Sequence, residues 1–418
     1  MIVMVVSQSR SDEQTGKTSV CDSAQGHIRL LHVVTVPETF IFLGPLVSCA
    51  KLKGWEVHAV CSPGDQLGEL ASRLGVPVHV VEMPRRISPV QDLRALGKLV
   101  RIMRSFRPHV VHAHTPKGGL LGTLAAFIAR VPAIVYHVHG LPSLTAKGTK
   151  RFLLRASERV SCRLADLVLC VSPSCREAAV AEGVCPSYKI KVPANGSICG
   201  VDAVNKFNPD LLSGGVRTEV RSRLGIPNDA MVIGYVGRVV RDKGIAELVN
   251  AWRALRDRYP ELHLMLVGPF EPQDPIPSDT DIMLRSDPRV HIVGCDWDTP
   301  GYYAAMDIFV LPSYREGFGL AALEAAAMSL PVVATRIPGC VDAVVDGVTG
   351  VLVEPRDADQ LADALRIYIE DPKLRQEHGK AGRTRALGEF QPETICQATF
   401  GEYERLLARC GLVVLESE

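Results

Sequence analysis

Two glutamates eight positions apart, Glu316 and Glu324, are the side chains in this sequence best placed to do chemistry. The apolar run at 306–313 predicts a buried strand that breaks into a loop just before Glu316. Rich in Ala and Leu, the next segment predicts a helix from just past Gly319 to Pro331. Free N–H groups at a helix start attract anions. The two carboxylates could therefore bind hydroxyl groups of a ligand whose phosphates lie at the helix terminus.

A simpler interpretation of the same residues is structural. Glu316 could merely cap the helix, and Glu324 could lie on its exposed face. The sequence of this stretch alone leaves both interpretations open.

Two cations follow another predicted strand, at 231–238. Arg238 ends that strand beside Gly237, and Lys243 lies five positions further on. If both side chains project towards the helix after Glu316, they could hold a diphosphate between them. The Arg238 guanidinium would supply a forked pair of donors, and the Lys243 ammonium would act as a compact charge. The alternative is an ordinary solvated turn.

Histidines end two predicted strands of the first half. His139 lies at the end of the strand 133–140, and His114 and Lys117 lie at the end of the strand 109–114. Each histidine could be an ordinary core residue. It could also contact a ligand, because the carboxyl ends of parallel strands are where ligands bind in open α/β sheets.

Strands and helices alternate along the chain, which predicts α/β architecture with parallel sheets covered on both faces. The alternation runs over 28–200, restarts after a turn-rich connection, and continues over 201–391, so we predict two Rossmann-like doubly wound domains that face a central cleft. A final helix is predicted within 392–418, and 1–27 is predicted to be a disordered extension. The first strand-helix turn lacks a G-x-G-x-x-G fingerprint, which argues against a dinucleotide dehydrogenase.

Charge is distributed unevenly along the 418 residues, although the net charge is only +1. Residues 1–195 contain 24 Lys and Arg against 13 Asp and Glu, whereas residues 196–418 contain 23 against 33. The first half is therefore the part expected to approach an anionic partner. Its basic residues cluster in the stretch 85–107, around a helix predicted at 89–106, and in a helix predicted at 147–164. The first cluster contains Arg85, Arg86, Arg94, Lys98, Arg101, Arg104 and Arg107, and the second contains Lys147, Lys150, Arg151, Arg155, Arg159 and Arg163.

Cysteine and aspartate patterns give no metal prediction. The twelve cysteines form no C-x-x-C pair and no His/Cys cluster with metal spacing, which predicts buried thiols in a reducing cytoplasm. Among the Asp-x-Asp pairs, Asp298 and Asp357 precede helical patterns and are predicted to be N-caps. No stretch is long and apolar enough for a signal-peptide core or a membrane span.

The longer motifs resemble those of a known enzyme family. The string E-G-F-G-x-x-x-x-E from Glu316 to Glu324, followed by P-V-V-A-T, is similar to the E-x7-E signature of retaining glycosyltransferases of family 4. H-x-H-T-P-K-G-G-L-L-G around His114, V-H-G-L-P around His139 and N-G-S-x-x-G-V-D at 195–202 resemble the subgroup that extends polyprenyl-diphosphate-linked sugars. The resemblance covers about residues 28–410.

This resemblance implies a GT-B fold, in which the final helix crosses back to the first domain, and a retaining, metal-independent transfer. Glu316 would contact the transferred sugar, Arg238 and Lys243 would hold the diphosphate, and His139 would contact the donor. The implied substrate-binding residues are Glu324, Gly237, Gly317, Phe318, Gly319, Leu320, Gly294, Gly44, His114 and Lys117. One departure is the segment T-V-P-E-T-F-I-F-L-G, which leaves only Gly44 to approach a phosphate in place of the family's glycine-rich turn.

The implied donor is a nucleoside diphosphate sugar, UDP in preference to GDP, and the acceptor is a lipid-linked glycan of bacterial capsule, exopolysaccharide or lipid-linked oligosaccharide synthesis. No cofactor and no nucleic-acid partner are predicted. The basic first half predicts a peripheral position on an anionic membrane, at the inner face of the cell membrane. The alternatives are a UDP-sugar 2-epimerase-like enzyme of the same fold and a non-catalytic nucleotide-sugar-binding protein.

Overall fold

The computed structural model describes residues 27–64, 66–84, 86, 88–272 and 274–413. The predicted extension at 1–27 lies outside these residues except for His27, whose ring Nδ1 is 3.2 Å from the carbonyl oxygen of Gly54. The last residues of the predicted segment 392–418 lie outside them too.

A parallel sheet organises the first half. Its strands are β1 (Arg29–Val33), β2 (Glu56–Cys61), β3 (Val78–Val80), β4 (Val110–His114), β5 (Ala133–Val138), β6 (Leu167–Cys170) and β7 (Ile190–Lys191). They lie in the order β3-β2-β1-β4-β5-β6-β7. The helices that cover its faces are α1 (Phe40–Leu52), α2 (Leu67–Leu74), α3 (Pro89–Phe106), α4 (Pro116–Ala129), α5 (Gly148–Leu164) and α6 (Pro173–Ala181).

The second half repeats this plan with a second parallel sheet. Its strands are β8 (Met231–Val236), β9 (Leu262–Val267), β10 (Val290–Gly294), β11 (Ile308–Leu311), β12 (Val332–Thr335) and β13 (Gly350–Val353), in the order β10-β9-β8-β11-β12-β13. Its helices are α7 (Val216–Leu224), α8 (Ile245–Arg256), α9 (Ser278–Ser286), α10 (Pro300–Ala305), α11 (Leu320–Ala327), α12 (Cys340–Ala343), α13 (Ala358–Glu370) and α14 (Pro372–Glu389). The predicted pair of Rossmann-like sheets is confirmed.

Both sheets reverse their strand order beside their first strand, between β1 and β4 and between β8 and β11. At such a point the two neighbouring connections leave towards opposite faces of the sheet, and a crevice opens at the carboxyl ends of the strands. Each sheet therefore has a crevice at the carboxyl ends of its strands, at the point where the strand order reverses.

The last helix, α15 (Pro392–Arg409), packs on the first half of the chain. Its Phe400 and Tyr403 rings contact the Trp55 ring, with centroids 5.0 and 6.0 Å away. The Tyr403 hydroxyl reaches Nδ1 of His112 in β4 at 2.5 Å. The helix thus crosses back from the second half, as the resemblance implied.

Two local differences from the predicted elements have a physical reason. The sequence predicts a loop over 37–42, before Gly44, but α1 begins at Phe40 and places Gly44 inside the helix. Its buried residues Phe40, Leu43 and Val47 are spaced so that one helix face packs on the sheet. The apolar pattern of 76–83 predicts a strand over the whole segment, but β3 contains only three residues, because it lies at the sheet edge and pairs with β2 alone.

Within the residues that the structure describes, no helix combines the length and the hydrophobicity that crossing a bilayer requires.

Candidate active site

The loops that follow β8 and β11 meet at the reversal point of the second sheet. Lys243 lies in the first loop and Glu316 in the second, and Lys243 Nζ is 2.5 Å from Glu316 Oε1. The Ser313 hydroxyl donates a second hydrogen bond to the same oxygen at 2.7 Å. Both members of the ion pair are largely shielded, with 17% and 12% of their side chains exposed. The fold therefore brings together the cation and the acid that are 73 positions apart in the sequence.

Backbone contacts fix the turn that carries Lys243. The turn spans Arg241–Lys243 and ends at Gly244, whose φ is +67°. A Cβ at Gly244 would lie 1.9 Å from the Pro312 carbonyl oxygen, so only glycine fits. The Tyr314 N–H donates to the Asp242 carbonyl oxygen at 2.8 Å. These backbone contacts hold the two loops against each other and so keep Lys243 next to Glu316.

Helix α11 begins directly after this loop, with Gly319 as its N-cap at φ +80°. Its first N–H groups have no partner inside the helix, so its start remains favourable for an anion. Glu324 lies little more than one turn inside and accepts a 2.8 Å hydrogen bond from the Tyr303 hydroxyl. Burial raises the pKa of Glu324 to about 7. The two predicted glutamates thus differ: one is ion-paired at the loop and the other is held by a neutral donor.

The two halves of the chain touch at the same place. A Cβ at Gly317 would lie only 2.1 Å from the His139 carbonyl oxygen, so the backbones of the two loops are in close contact. The Ser172 hydroxyl, from the connection after β6, donates to the Gly317 carbonyl oxygen at 2.8 Å. His139, Gly140 and Glu316 therefore lie around one cleft.

The neighbours of Glu316 differ in exposure. The Phe318 side chain is buried and packs edge to face on Phe390, with ring centroids 5.3 Å apart. Phe318 could therefore contact a ligand through its backbone only. Leu320 is partly exposed at the first position of α11.

Arg238 is more exposed than Lys243. Its side chain is 45% exposed, and its guanidinium forms a 2.7 Å ion pair with Glu271. Glycines follow three adjacent strands here: Gly237 after β8, Gly268 after β9, and Gly294 at the end of β10, all with positive φ. A Cβ at Gly268 would lie 1.9 Å from the Gly237 carbonyl oxygen, and the Gly268 N–H donates to the Gly294 carbonyl oxygen at 2.7 Å. Sequence reasoning missed Gly268, although a glycine directly after a strand was the available signal.

In the first sheet, His139 belongs to a chain of hydrogen-bonded histidines. Its Nε2 is 3.0 Å from Nδ1 of His114, and the His114 Nε2 is 3.0 Å from Nδ1 of His32. Burial lowers the pKa of His139 to about 4 and that of His32 to about 3, so both rings are neutral at neutral pH. A neutral His139 can donate or accept a hydrogen bond at the cleft but carries no charge there.

Two of the predicted site residues, Lys117 and Gly44, form no hydrogen bond or ion pair with the described residues of this site. The Lys117 ammonium forms an ion pair with Asp92 of α3, at 2.8 and 3.1 Å. It also donates to the Arg86 carbonyl oxygen, so its charge is neutralised within the helix layer. Gly44 lies in α1, and no atom lies within 4 Å of the position that its Cβ would occupy.

Sequence comparison assigns this arrangement to a known family. A family model for glycosyl transferases group 1 matches residues 216–385, and a model for a glycosyl transferase 4-like domain matches residues 43–196. The capsular polysaccharide biosynthesis glycosyltransferase CapM of Staphylococcus aureus is 32% identical over 379 residues, which cover 91% of this chain and 97% of CapM. The chain belongs to glycosyltransferase family 4.

Other members and structures agree with this assignment. A UDP-Gal:α-D-GlcNAc-diphosphoundecaprenol α-1,3-galactosyltransferase of Escherichia coli is 27% identical to this family 4 glycosyltransferase over 344 residues, which cover 80% of this chain and 85% of that enzyme. The crystal structure of Anabaena HepE in complex with UDP and glucose superposes with a TM-score of 0.76 at 23% identity and covers 91% of this chain and 100% of HepE. The predicted GT-B fold is confirmed.

One further contact joins the two domains of this family 4 glycosyltransferase. Asp342 accepts hydrogen bonds from the Ser174 N–H at 3.1 Å and from the Ser174 hydroxyl. That hydroxyl in turn accepts from the Gly339 N–H at 2.7 Å. Asp342 of the second domain thus caps the start of α6 in the first domain. Its sequence context gave no clue to this contact, since the partner lies 168 positions away.

Proposed function

We propose that the protein is a retaining, metal-independent glycosyltransferase that uses a nucleoside diphosphate sugar, and that UDP is its nucleotide. The acceptor is a polyprenyl-diphosphate-linked or polysaccharide glycan of bacterial surface glycan synthesis. The observation that carries the proposal is the 2.5 Å contact between Lys243 and Glu316 just before α11, next to Gly317, whose backbone meets that of His139. It places a cation, an acid and a helix N-terminus at the mouth of one cleft.

Lys243 and Arg238 stabilise the departing diphosphate. In the structure each cation is paired with a carboxylate, Glu316 and Glu271 respectively. A bound diphosphate offers more negative charge than either carboxylate and takes over part of both contacts. Charge-assisted hydrogen bonds of this kind contribute about 1.5–3 kcal/mol each. Charge that develops on the leaving group is thereby stabilised by groups already in place.

The two glutamates bind the hydroxyl groups of the donor. Glu316, held by Lys243 and Ser313, orients the transferred sugar, and Glu324 accepts from the ribose. The N–H groups from Gly317 to Leu320 and the glycine row Gly237 and Gly294 let the backbone approach the diphosphate. His139 contacts the donor from the first domain.

The choice of donor and acceptor is supported by the relatives. HepE has been crystallised with UDP and glucose, and the E. coli relative is named for transfer from UDP-Gal to a diphosphoundecaprenol-linked sugar. The motifs around His114 and His139 resemble the same subgroup. A lipid-linked acceptor also requires the enzyme to reach a membrane surface.

Incubation with a panel of UDP-sugars and a lipid-linked acceptor, followed by mass spectrometry and proton NMR of the product, tests this function. The expected result is an acceptor heavier by one sugar residue together with free UDP, and an α-anomeric proton in the product of an α-linked donor. An epimerised UDP-sugar without transfer would instead assign a 2-epimerase-like activity. Binding of UDP-sugars without any turnover would assign a non-catalytic binding protein.

One helix layer of the first domain forms the proposed membrane surface. Helix α4 packs between α3 and α5, and the basic residues predicted for the membrane lie on α3 and α5 or beside them. Arg85 lies outside the described residues. Large apolar side chains project between the cations: Phe152 is 68% exposed, Leu153 49% and Phe127 60%. Arg151 and Arg155 are paired with Glu182, so the other cations carry most of the free charge.

This surface suits peripheral binding to the anionic inner face of a cell membrane. Each basic residue near such a surface contributes about 1 kcal/mol, over a Debye length of about 8–10 Å. The exposed Phe and Leu side chains add burial in the interfacial region. Binding is therefore reversible and salt-dependent, with the first domain towards the lipid.

A further inference from the structure

Five histidines from three neighbouring strands converge on one face of the first sheet. They are His32 of β1, His112 and His114 of β4, and His137 and His139 at the end of β5. The strand register pairs His32 with His112 and His114 with His137. Four of the side chains are at most 1% exposed, and His139 lies at the cleft. Sequence spacing did not indicate this cluster, because its members come together only through the strand order.

Several ring nitrogens of this cluster lack a protein partner. Among the described residues, both ring nitrogens of His137 are buried without a hydrogen bond, as is Nε2 of His32 and of His112. A buried polar nitrogen that exchanges its water for nothing costs free energy. The concentration of such atoms at one place therefore points to a bound species that the protein atoms alone do not include.

The geometry points to a metal ion, and we propose that His114, His137 and His139 bind one transition-metal ion of the Zn²⁺ class. Three imidazoles on a tetrahedral ion with bonds of about 2.0–2.1 Å have ring centroids about 5 Å apart. The three centroid distances here are 5.8, 5.2 and 4.7 Å. One nitrogen of each ring lies within 4.8 Å of the other two.

The surrounding contacts support these three ligands. Metal-bound histidines usually donate their other ring N–H to a neighbour, which fixes the tautomer. If His114 binds through Nδ1, which faces His139 Nε2 at 3.0 Å, its Nε2 carries the proton. That proton is donated to Nδ1 of His32 at 3.0 Å. His32 is thus assigned a positioning role behind the ligand.

The neighbouring set His32, His112 and His114 fits less well. The ring centroids of His112 and His114 are 3.9 Å apart, closer than ligands of one tetrahedral ion. Nδ1 of His112 is also already bonded to the Tyr403 hydroxyl at 2.5 Å. An all-imidazole site suits Zn²⁺, Cu²⁺, Ni²⁺ or Co²⁺ but not Mg²⁺, which prefers oxygen ligands. The proposed ion ties the ends of β4 and β5 together, and its ligand His139 is the residue to which we also assign the donor contact.

Titration of tag-free, full-length protein with Co²⁺ tests the site. We expect one equivalent to bind with the visible absorption of a tetrahedral ion. His137→Gln should weaken binding at least tenfold, since it removes one of three ligands. His79→Gln is the matched control, because it removes a histidine of the same domain that is hydrogen-bonded to His58 instead of to the cluster. It should bind Co²⁺ like the wild type.

X-ray absorption spectroscopy of the Zn²⁺-loaded wild type gives a second test that needs no variant. A first shell of nitrogen with imidazole scattering is expected. No stoichiometric binding by the wild type, equal affinity in the His137→Gln variant, or a shell containing sulfur would overturn the proposal. In that case the orphaned nitrogens are bonded to buried water only.

Discussion

The ammonium of Lys243 lies 2.5 Å from the carboxylate of Glu316, across two loops that the reversal of strand order brings side by side. The pair is shielded from solvent and supported by the Ser313 hydroxyl. This relationship makes Lys243 a pre-positioned cation, because it does not need to be ordered when the donor binds. It also makes Glu316 a carboxylate of fixed direction.

Lys243→Ala should lower kcat by about two to three powers of ten, since about 3–4 kcal/mol of transition-state stabilisation is typical for one such group. Steady-state kinetics with a UDP-sugar measures this. Arg241→Ala is the control, because Arg241 lies in the same short turn but is exposed. Equal losses in both variants would mean that the turn, and not the Lys243 charge, is required.

Replacing each of the two glutamates should have a different effect on UDP affinity. Glu324→Gln should weaken the binding of free UDP, because we assign Glu324 to the ribose. Glu316→Gln should leave UDP affinity close to wild type and damage transfer, because we assign Glu316 to the transferred sugar. Isothermal titration calorimetry with UDP on both variants decides the roles. Similar losses of UDP affinity would refute the assignment.

The sequence predicted the elements better than their contacts. The helical pattern of 89–106 predicts a helix from local periodicity alone, and α3 spans those residues. Asp357 caps α13 as predicted, with its side chain accepting from the Gln360 N–H. The predicted cap at Asp298 is wrong, since the N-cap of α10 is Thr299 and Asp298 lies one residue before it.

The site could be predicted only in part. The motifs identified Glu316 and Lys243, but their distance depends on which strands are neighbours, and no local pattern encodes that. The same holds for the histidines of β1, β4 and β5, and for the contact between Asp342 and Ser174. The ion pair between Lys117 and Asp92 was not predicted for a related reason, because the two residues lie on different helices.

A buried acid of the first domain predicts how stability depends on pH. Glu158 is 1% exposed and accepts from the Tyr136 hydroxyl at 2.5 Å, and burial raises its pKa to about 7. The folded state therefore binds more protons than the unfolded state between about pH 4.3 and 7. Consequently, the free energy of unfolding of the wild type decreases as the pH rises through this window.

Glu158→Gln removes this dependence. Relative to the wild type, the variant should gain about 2–3 kcal/mol of unfolding free energy between pH 5 and pH 8. Urea unfolding at both pH values measures the difference. Glu177→Gln, an exposed acid of the same domain, should show no such change. A constant difference between wild type and Glu158→Gln would show that Glu158 is ionised throughout.

The protein should sediment with anionic liposomes and not with neutral ones, and about 0.5 M salt should release it, because screening shortens the reach of its charges. A fourfold Ala variant at Arg101, Arg104, Lys147 and Lys150 should lose this binding, since these cations lie outside the Glu182 ion pairs. A fourfold variant of second-domain cations, Arg241, Arg253, Lys373 and Lys380, should keep it. Binding that ignores lipid charge would contradict the proposed surface.

The dependence of the transfer rate on Mg²⁺ and Mn²⁺ tests the account most directly, because Lys243 and Arg238 are assigned the role that a divalent ion would otherwise have at the diphosphate. Initial rates are measured with saturating UDP-sugar and acceptor, with and without each ion, for the wild type and for Lys243→Ala. The account predicts that the wild type transfers sugar at the same rate in both conditions and that neither ion restores the variant. A wild type that is inactive until Mg²⁺ or Mn²⁺ is added would contradict it.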